Sequence, residues 1–257
     1  MSALDSFSTI LILGGTGGIG ESFARRFHGV GKKVIITGRR QNRLDALAQE
    51  LPGLDTFALD NSDIPNLAQN AQALIAKYPN VDTVWVNAGI QYQGNFQSLQ
   101  NFSDEKLIHE INTNYVGPLI LARYFADHLQ TVKRETHFLI TSSALAYVPM
   151  AVFPVYCSTK AAIHSFLIGL RDSLIDTNVS VIEIVAPYVR TDLDAANRFD
   201  KVATPMELDV FTDEILKSFA EKPAKEIKEV GAGWATNIVT AWRDAFASFL
   251  SLRKSRG

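Results

Sequence analysis

"STILILGGTGGIGESFARRF", residues 8–27, joins a continuous aliphatic run, a turn of glycines and a segment of helical period. The run shows no polar/apolar alternation, so a strand built from it is buried on both faces. Gly14, Gly18 and Gly20 let the backbone turn tightly and approach a pyrophosphate, which then sits at the N-terminus of the helix beginning near Ile19. A glycine turn by itself also serves as an ordinary tight turn. Between a first strand and a first helix it is the signature of a dinucleotide site.

Working outward, the same alternation of apolar run and amphipathic helix continues along the chain. Further runs are "KVIIT" (33–37), "DTFAL" (55–59), "DTVWVN" (82–87), "HFLITS" (137–142), "VSVIEIV" (179–185) and, more weakly, "EIKEV" (226–230). Patterns such as Leu44, Leu47, Ala48, Leu51 or Leu67, Ala71, Leu74, Ile75 lie between them. This arrangement predicts an α/β fold, a single Rossmann-type doubly wound parallel sheet of about seven strands with helices on both faces. No Pro/Gly/Ser-rich linker and no repeat divides the chain. One domain over 1–257 is expected, with a substrate-covering loop at about 192–212 and a C-terminal helix at about 234–252.

Composition narrows the function classes. The chain has 257 residues, 47% of them hydrophobic, and a formal charge of −2, which gives no electrostatic reason to expect nucleic acid. The one cysteine, Cys157, excludes an internal disulfide and fits a reducing compartment. No apolar stretch approaches the ~18 residues of a membrane span, and the first residues do not form a secretory signal. A soluble, cytoplasmic protein is expected.

In a doubly wound sheet ligands bind beyond the carboxyl ends of the strands. After the second strand, Gly38 stands where an acid would accept the adenosine 2′-hydroxyl of NAD, and Arg39 and Arg40 follow. A guanidinium matches a 2′-phosphate in charge and geometry, so NADP(H) is expected over NAD(H), with Arg39 as its partner. Later in the chain, "VYCSTKAAIHSF" (155–166) places Tyr156 and Lys160 four residues apart, on one helical face. Such a pair is either an ordinary wet surface or a proton donor with the cation that tunes it.

With "VNAGIQ" (86–91), "INTNYVG" (111–117), "ITSSALA" (140–146) and "APYVRTDL" (186–193), these segments resemble the short-chain dehydrogenase/reductase family over nearly the whole chain. Ser143 precedes Tyr156 as the family's serine precedes its tyrosine, and Tyr156-x-x-x-Lys160 is the family signature. The resemblance implies that Tyr156 is general acid in carbonyl reduction and base in alcohol oxidation. Ser143 would bond the substrate oxygen, Lys160 the nicotinamide ribose while lowering the phenol pKa, and Asn114 would interrupt its helix and hold a water beside Lys160. The implied cofactor residues are Gly14, Thr16, Gly18, Ile19, Gly20, Asp60, Asn61, Asn87, Ala88, Gly89, Val189 and Thr191, together with Tyr156 and Lys160. Three departures stand out: Leu13 replaces the usual threonine, Ala186-Pro187 replaces Pro-Gly, and Thr16 and Gly17 provide no basic residue in the glycine turn. The Ala-Pro version and the ending "KEIKEVGAG" resemble the DltE-like oxidoreductase subgroup.

Other features carry plainer readings. Cys157 points about 100° away from the catalytic face and is expected to pack. The five histidines show no metal spacing, so no metal is expected. Trp234, Ile238, Trp242, Phe246 and Phe249 form a helical stripe ahead of Arg253, Lys254 and Arg256, which packs on its own domain or a partner more readily than on a membrane. Segments 104–129 and 154–175, the latter with Ile163, Phe166, Leu167, Leu170 and Leu174, are expected to form a homodimer or homotetramer, as the family's helices do. Tyr92, Leu145, Tyr147, Phe153, Tyr188 and Phe199 should line an apolar pocket for a small carbonyl or alcohol substrate, with Arg190 and Arg198 the residues that could select a carboxylate. The expected activity is NADP(H)-dependent oxidoreduction. The alternatives are a non-redox isomerase or lyase, and a nucleotide-binding regulator without turnover.

Overall fold

Strand β1 (Thr9–Leu13) pairs in parallel with β2 (Lys33–Gly38) on one side and β4 (Thr83–Val86) on the other, Leu13 lying opposite both Thr37 and Val86. The remaining strands are β3 (Asp55–Ala58), β5 (Thr136–Ser143), β6 (Val179–Ala186) and β7 (Glu229–Gly231). All pair in parallel, in the order β3-β2-β1-β4-β5-β6-β7. These relations come from a computed structural model that describes residues 1–193, 195 and 203–252. The chain reverses its direction of winding between β1 and β4, and that switch point is where a doubly wound sheet opens a ligand crevice.

The opening aliphatic run is explained by burial on both faces. Ile10 and Ile12 of β1 face a cluster with Phe23 and Phe27 of α2 (Gly18–Gly29) and Phe211 and Phe219 of α8 (Leu208–Glu221), reinforced by α1 (Ala3–Ser6) and α3 (Gln41–Glu50). Leu11 and Leu13 face the other, with Leu67 and Leu74 of α4 (Ile64–Lys77), Phe125 of α6 (Gly117–Thr131) and Ile163 and Leu167 of α7 (Pro154–Ser173). Each large side chain so buried contributes ~1.5–3 kcal/mol against conformational entropy. Prolines at the first turns of α4 and α7 start those helices without losing a hydrogen bond. Helix α5 (Asp104–Ile111) is capped by Ser103, whose hydroxyl accepts from Lys106 N at 3.4 Å.

Several expectations need correction. Of the run 226–230, only Glu229 and Val230 are in a strand; residues 224–226 form a 3₁₀ turn and the strand ends at Gly231. Residues 208–212, assigned to a loop, are the first turn of α8, because Phe211 and Thr212 are buried against the sheet. Residues 194 and 196–202, with Arg198 and Phe199, lie outside the described residues, as do Arg253, Lys254 and Arg256. Ile163 and Leu167 are fully buried in the chain's own core, so they offer nothing to a second subunit; Phe166 and Leu170 are half-buried. The aromatic stripe of α9 (Trp234–Leu252) divides: Ile238 and Trp242 pack inwards, whereas Trp234, Phe246 and Phe249 are exposed.

Candidate active site

The glycine turn is held against the start of the segment after β4. Gly14 has φ +93°, and a Cβ there would stand 2.6 Å from Ala88 N; a Cβ on Gly20 would stand 2.1 Å from Gly14 O. Both positions therefore require glycine. A chain of hydrogen bonds crosses three strands to fix the turn. Trp85 Nε1 donates to Thr141 Oγ1 (2.8 Å), Thr141 Oγ1 to Asn87 Oδ1 (2.8 Å), and Asn87 Nδ2 to Gly14 O (3.1 Å). At the start of α2, Gly17 supplies no side-chain cap, so the first backbone N–H groups of the helix have no side-chain acceptor there. Thr191 comes close to this end, within 3.3 Å of where a Gly18 Cβ would lie. Val189 is buried and bridges to Met206. Ile19 packs on the core cluster beneath the turn.

The surroundings of Gly38, at the end of β2, explain the missing acid. A Cβ on Gly38 would lie 2.5 Å from Thr16 Cγ2, so the threonine occupies the space an acid would need. Arg40 reaches back, Nη2 donating to Thr16 O at 3.3 Å, while Arg39 is exposed. Asp60 Oδ1 accepts from Ser62 N (2.9 Å) and Ser62 Oγ (2.7 Å). Asn61 is buried with its Nδ2 unpartnered. A crowded glycine turn, an uncapped helix end and an orphaned amide donor together fit a dinucleotide.

At the other end, Ser143 closes β5 and its Oγ accepts from Leu145 N at 3.1 Å. Tyr156, on the first turns of α7, is buried, and the Ser143 side chain acts on it to favour ionisation. Lys160 Nζ lies 5.6 Å from the Tyr156 ring centroid and donates to Thr141 O at 2.9 Å. Asn114 does interrupt its helix: residues Asn112–Val116 form a π-helical turn. There its side chain grips Ile90 at both ends, Oδ1 accepting from Ile90 N (2.9 Å) and Nδ2 donating to Ile90 O (2.8 Å). Gly89 lies beside both Asn114 and Lys160. The expected lowering of the phenol pKa does not appear. Burial pushes Tyr156 above its ordinary value, opposed only in part by the Ser143 side chain, and burial brings Lys160 down to about 8.

Of the expected pocket residues, Leu145, Phe153 and Tyr156 form one cluster with Cys157, whose thiol packs against Met150. Tyr92 directs its hydroxyl to His109 Nδ1 (2.9 Å). Tyr147 turns away towards α9, its hydroxyl 2.9 Å from His164 Nδ1 and its ring against Trp242. The carbonyl of Tyr188 accepts from Met206 N at 2.8 Å. Arg190 pairs with Glu207, Nε to Oε1 at 2.8 Å.

Two features escaped sequence reasoning. Glu110, fully buried near the end of α5, accepts from Tyr92 N at 3.0 Å with Oε1 and leaves Oε2 unpartnered. On the far side of α7, His164 Nδ1 lies 2.7 Å from Glu183 Oε2, and Glu229 next to them takes Arg171 (2.7 Å) and Arg243 (2.6 Å). His164, Glu183 and Glu229 have ligand atoms within 4.8 Å of one another, the kind of grouping that histidine spacing alone did not reveal. A signal existed in both places: Glu183 interrupts the apolar run of β6, and Glu110 stands one turn before Asn114 on the same helical face.

Residues 8–201 match the short chain dehydrogenase family. The chain is 39% identical to the uncharacterized oxidoreductase DltE of Bacillus subtilis over 194 residues, covering 74% of this chain and 75% of that one. It is 33% identical to an NADP-dependent 3-hydroxy acid dehydrogenase, YdfG, of Shigella flexneri, covering 68% of this chain and 70% of that one. Its fold superposes with a TM-score of 0.81 on a short-chain dehydrogenase from Sphingobium yanoikuyae in complex with NADPH, at 22% identity and covering 94% and 95% of the two chains. No helix among the described residues is long and apolar enough to cross a membrane. From the glycine turn at the sheet's switch point to the paired Tyr156 and Lys160 of α7, this chain belongs to the short-chain dehydrogenase/reductase family of oxidoreductases, in its DltE-like branch.

Proposed function

We propose that this protein is an NADP(H)-dependent oxidoreductase that interconverts a carbonyl and an alcohol, with Tyr156 as general acid/base. The observation that carries this reading is the buried Tyr156 phenol, with Ser143 acting on it and Lys160 one turn further on, its Nζ 5.6 Å from the centroid of the phenol ring. When bound, the nicotinamide supplies or accepts the hydride. Ser143 orients the substrate oxygen, and Tyr156 gives it a proton as the carbonyl is reduced. A phenol held protonated by burial is ready for that step at neutral pH. As the base in alcohol oxidation it must first ionise, so the oxidative rate rises with pH into the alkaline range. Lys160 binds the ribose hydroxyls, and Asn114 secures segment 90–91 beside it.

The cofactor preference rests on Gly38, which has no room for an acid, and on the two arginines after it. Arg40 braces the glycine turn; the exposed Arg39 is assigned to the 2′-phosphate. A charged contact is worth ~1.5–3 kcal/mol, so Arg39→Leu weakens NADPH binding roughly 10- to 150-fold and leaves NADH binding nearly unchanged. Equal affinity of the unaltered protein for NADH and NADPH would overturn the preference.

Leu145 and Phe153 beside Tyr156 favour an apolar ketone, aldehyde or alcohol. Arg190, paired with Glu207, is not poised to select a carboxylate. A panel of carbonyls followed by NADPH absorbance tests the whole reading, and should pair a neutral aryl ketone with its carboxylated analogue. Turnover of the neutral compound at higher kcat/KM supports it. Higher kcat/KM for the acid would move the substrate class towards hydroxy acids.

A further inference from the structure

Asn114 and Glu110 stand one helical turn apart and hold alternate residues of the same extended segment. Asn114 takes both backbone groups of Ile90, and Glu110 Oε1 takes Tyr92 N. That accounts for one oxygen of Glu110. The other is buried and unpartnered, in a side chain with no exposure at all. An ionised carboxylate in such a place is costly unless an opposite charge faces it. Helix α5 packs on α7, and Lys160 Nζ meets Asn114, one turn beyond Glu110, at Gly89, where a Cβ would stand 3.4 Å from Asn114 Oδ1 and 3.6 Å from the ammonium. Glu110 and Lys160 interact electrostatically across that space.

We infer that Glu110 is a positioning residue of this active site: one oxygen fixes segment 90–92, and its buried charge holds Lys160 in the ammonium form. The inference rests on the reading of Tyr156 and Lys160 as the reactive pair. Titration agrees with the geometry. Burial raises Glu110 to about 7 and lowers Lys160 to about 8, and each draws the other towards its charged form. The groups that face this space are Tyr156 and Cys157 from α7, both pushed up by burial and by Glu110, and Glu183 from β6, which also supports the lysine. Tyr92, held by Glu110, carries His109 on its hydroxyl and Lys106 over its ring. Glu183 already has His164 on one oxygen, whereas the cation that acts on Glu110 is Lys160.

Glu110→Gln tests this without a change of shape, because the amide oxygen can still accept from Tyr92 N. The readout is the ionisation of Lys160, followed in the full chain by 13Cε-lysine NMR across pH, with the signal assigned by its loss in Lys160→Met. The expected result is a lysine midpoint lower by about one unit, a roughly tenfold loss of proton affinity, as removal of a neighbouring opposite charge produces. The pH at which NADPH affinity falls should move by the same amount. A lysine midpoint within about 0.2 units of the unaltered protein would overturn the inference, whether or not activity falls. If Gln perturbs folding, Glu110→Asp decides: it keeps the charge, so the midpoint should remain near the wild-type value, and a drop as large as that of Gln would also overturn it. Because the titration needs no turnover, failure of the proposed activity would leave a normal lysine shift, and failure of this inference would leave activity dependent on Tyr156.

Discussion

Helix α7 has buried charge on two sides, and the two groups are built differently. Towards the cleft, Lys160 donates to a neutral acceptor, the Thr141 carbonyl, and Glu110 keeps an oxygen unpartnered. Away from it, Glu229 is gripped by two arginines from α7 and α9, and His164 and Tyr147 converge on Glu183. The second group ties four elements together, β6, β7, α7 and α9, and pairs the charge of Glu229 at short range, although Glu183 Oε1 too is buried without a partner. The first leaves charges close to changing state near neutral pH, at the price of stability. Perturbed groups of that kind collect where protons are to be moved, and paired ones where elements must stay docked.

The largest effect that would separate the two sides comes from Tyr156→Phe. Turnover should fall by at least ~10²–10⁴-fold, the range for a removed general acid, while the thermal midpoint and NADPH affinity stay near wild type. Retention of wild-type kcat would erase the distinction. Glu229→Leu should behave in the opposite way. It leaves Arg171 and Arg243 without their carboxylate, and stability should drop towards the low end of ~3–5 kcal/mol, since Arg243 is 30% exposed and partly compensated by water. Denaturant titration measures the loss, and the specific activity of the folded fraction should be unchanged.

A smaller effect sharpens the contrast further. The folded-state pKa of Glu110 is raised from 4.5 to about 7, so between those values the native protein binds more protons than the unfolded chain. Stability attached to this group is therefore full below pH ~4.5 and is lost as pH rises through about 7. Glu110→Gln should then be more heat-stable than wild type at pH 8 and equal to it near pH 4.5. Equal midpoints at both pH values would show that the cleft-side carboxylate carries no strain. Smaller still, Arg39→Leu should alter only the NADPH/NADH ratio and leave both sides of α7 as they are.

The parts legible in the sequence are those whose signal is local. Gly14, Gly18 and Gly20 sit within one turn, and Tyr156 and Lys160 within one turn of another, so spacing alone places them. The parallel sheet followed from runs such as 8–13, whose residues are buried on alternating faces. What was not legible depends on residues distant in sequence. Glu229 meets Arg171 and Arg243 only because β7 lies beside β6, and β7 itself is three residues long, leaving only the weak run 226–230 in the sequence. The lysine's effect on the phenol was judged from spacing, whereas burial, a property of the whole fold, dominates it. Gly38 told of a missing acid, but the reason is Thr16, 22 residues earlier, filling its place.

Thr141 serves both ends of the cleft: its hydroxyl carries Asn87, and through it Gly14, while its carbonyl holds Lys160. Asn87 is 73 residues from Gly14 and 54 from Thr141, so these bonds close only when distant segments meet. During synthesis at ~5–20 residues per second, β1 and its glycine turn emerge several seconds before β5 exists to anchor them. The nascent first half therefore has strands without the residue that completes its ligand turn, and loop closure over such separations is slow. Cofactor binding should accordingly be among the last properties the chain acquires as it folds, rising together with the docking of β5 rather than with the first helices.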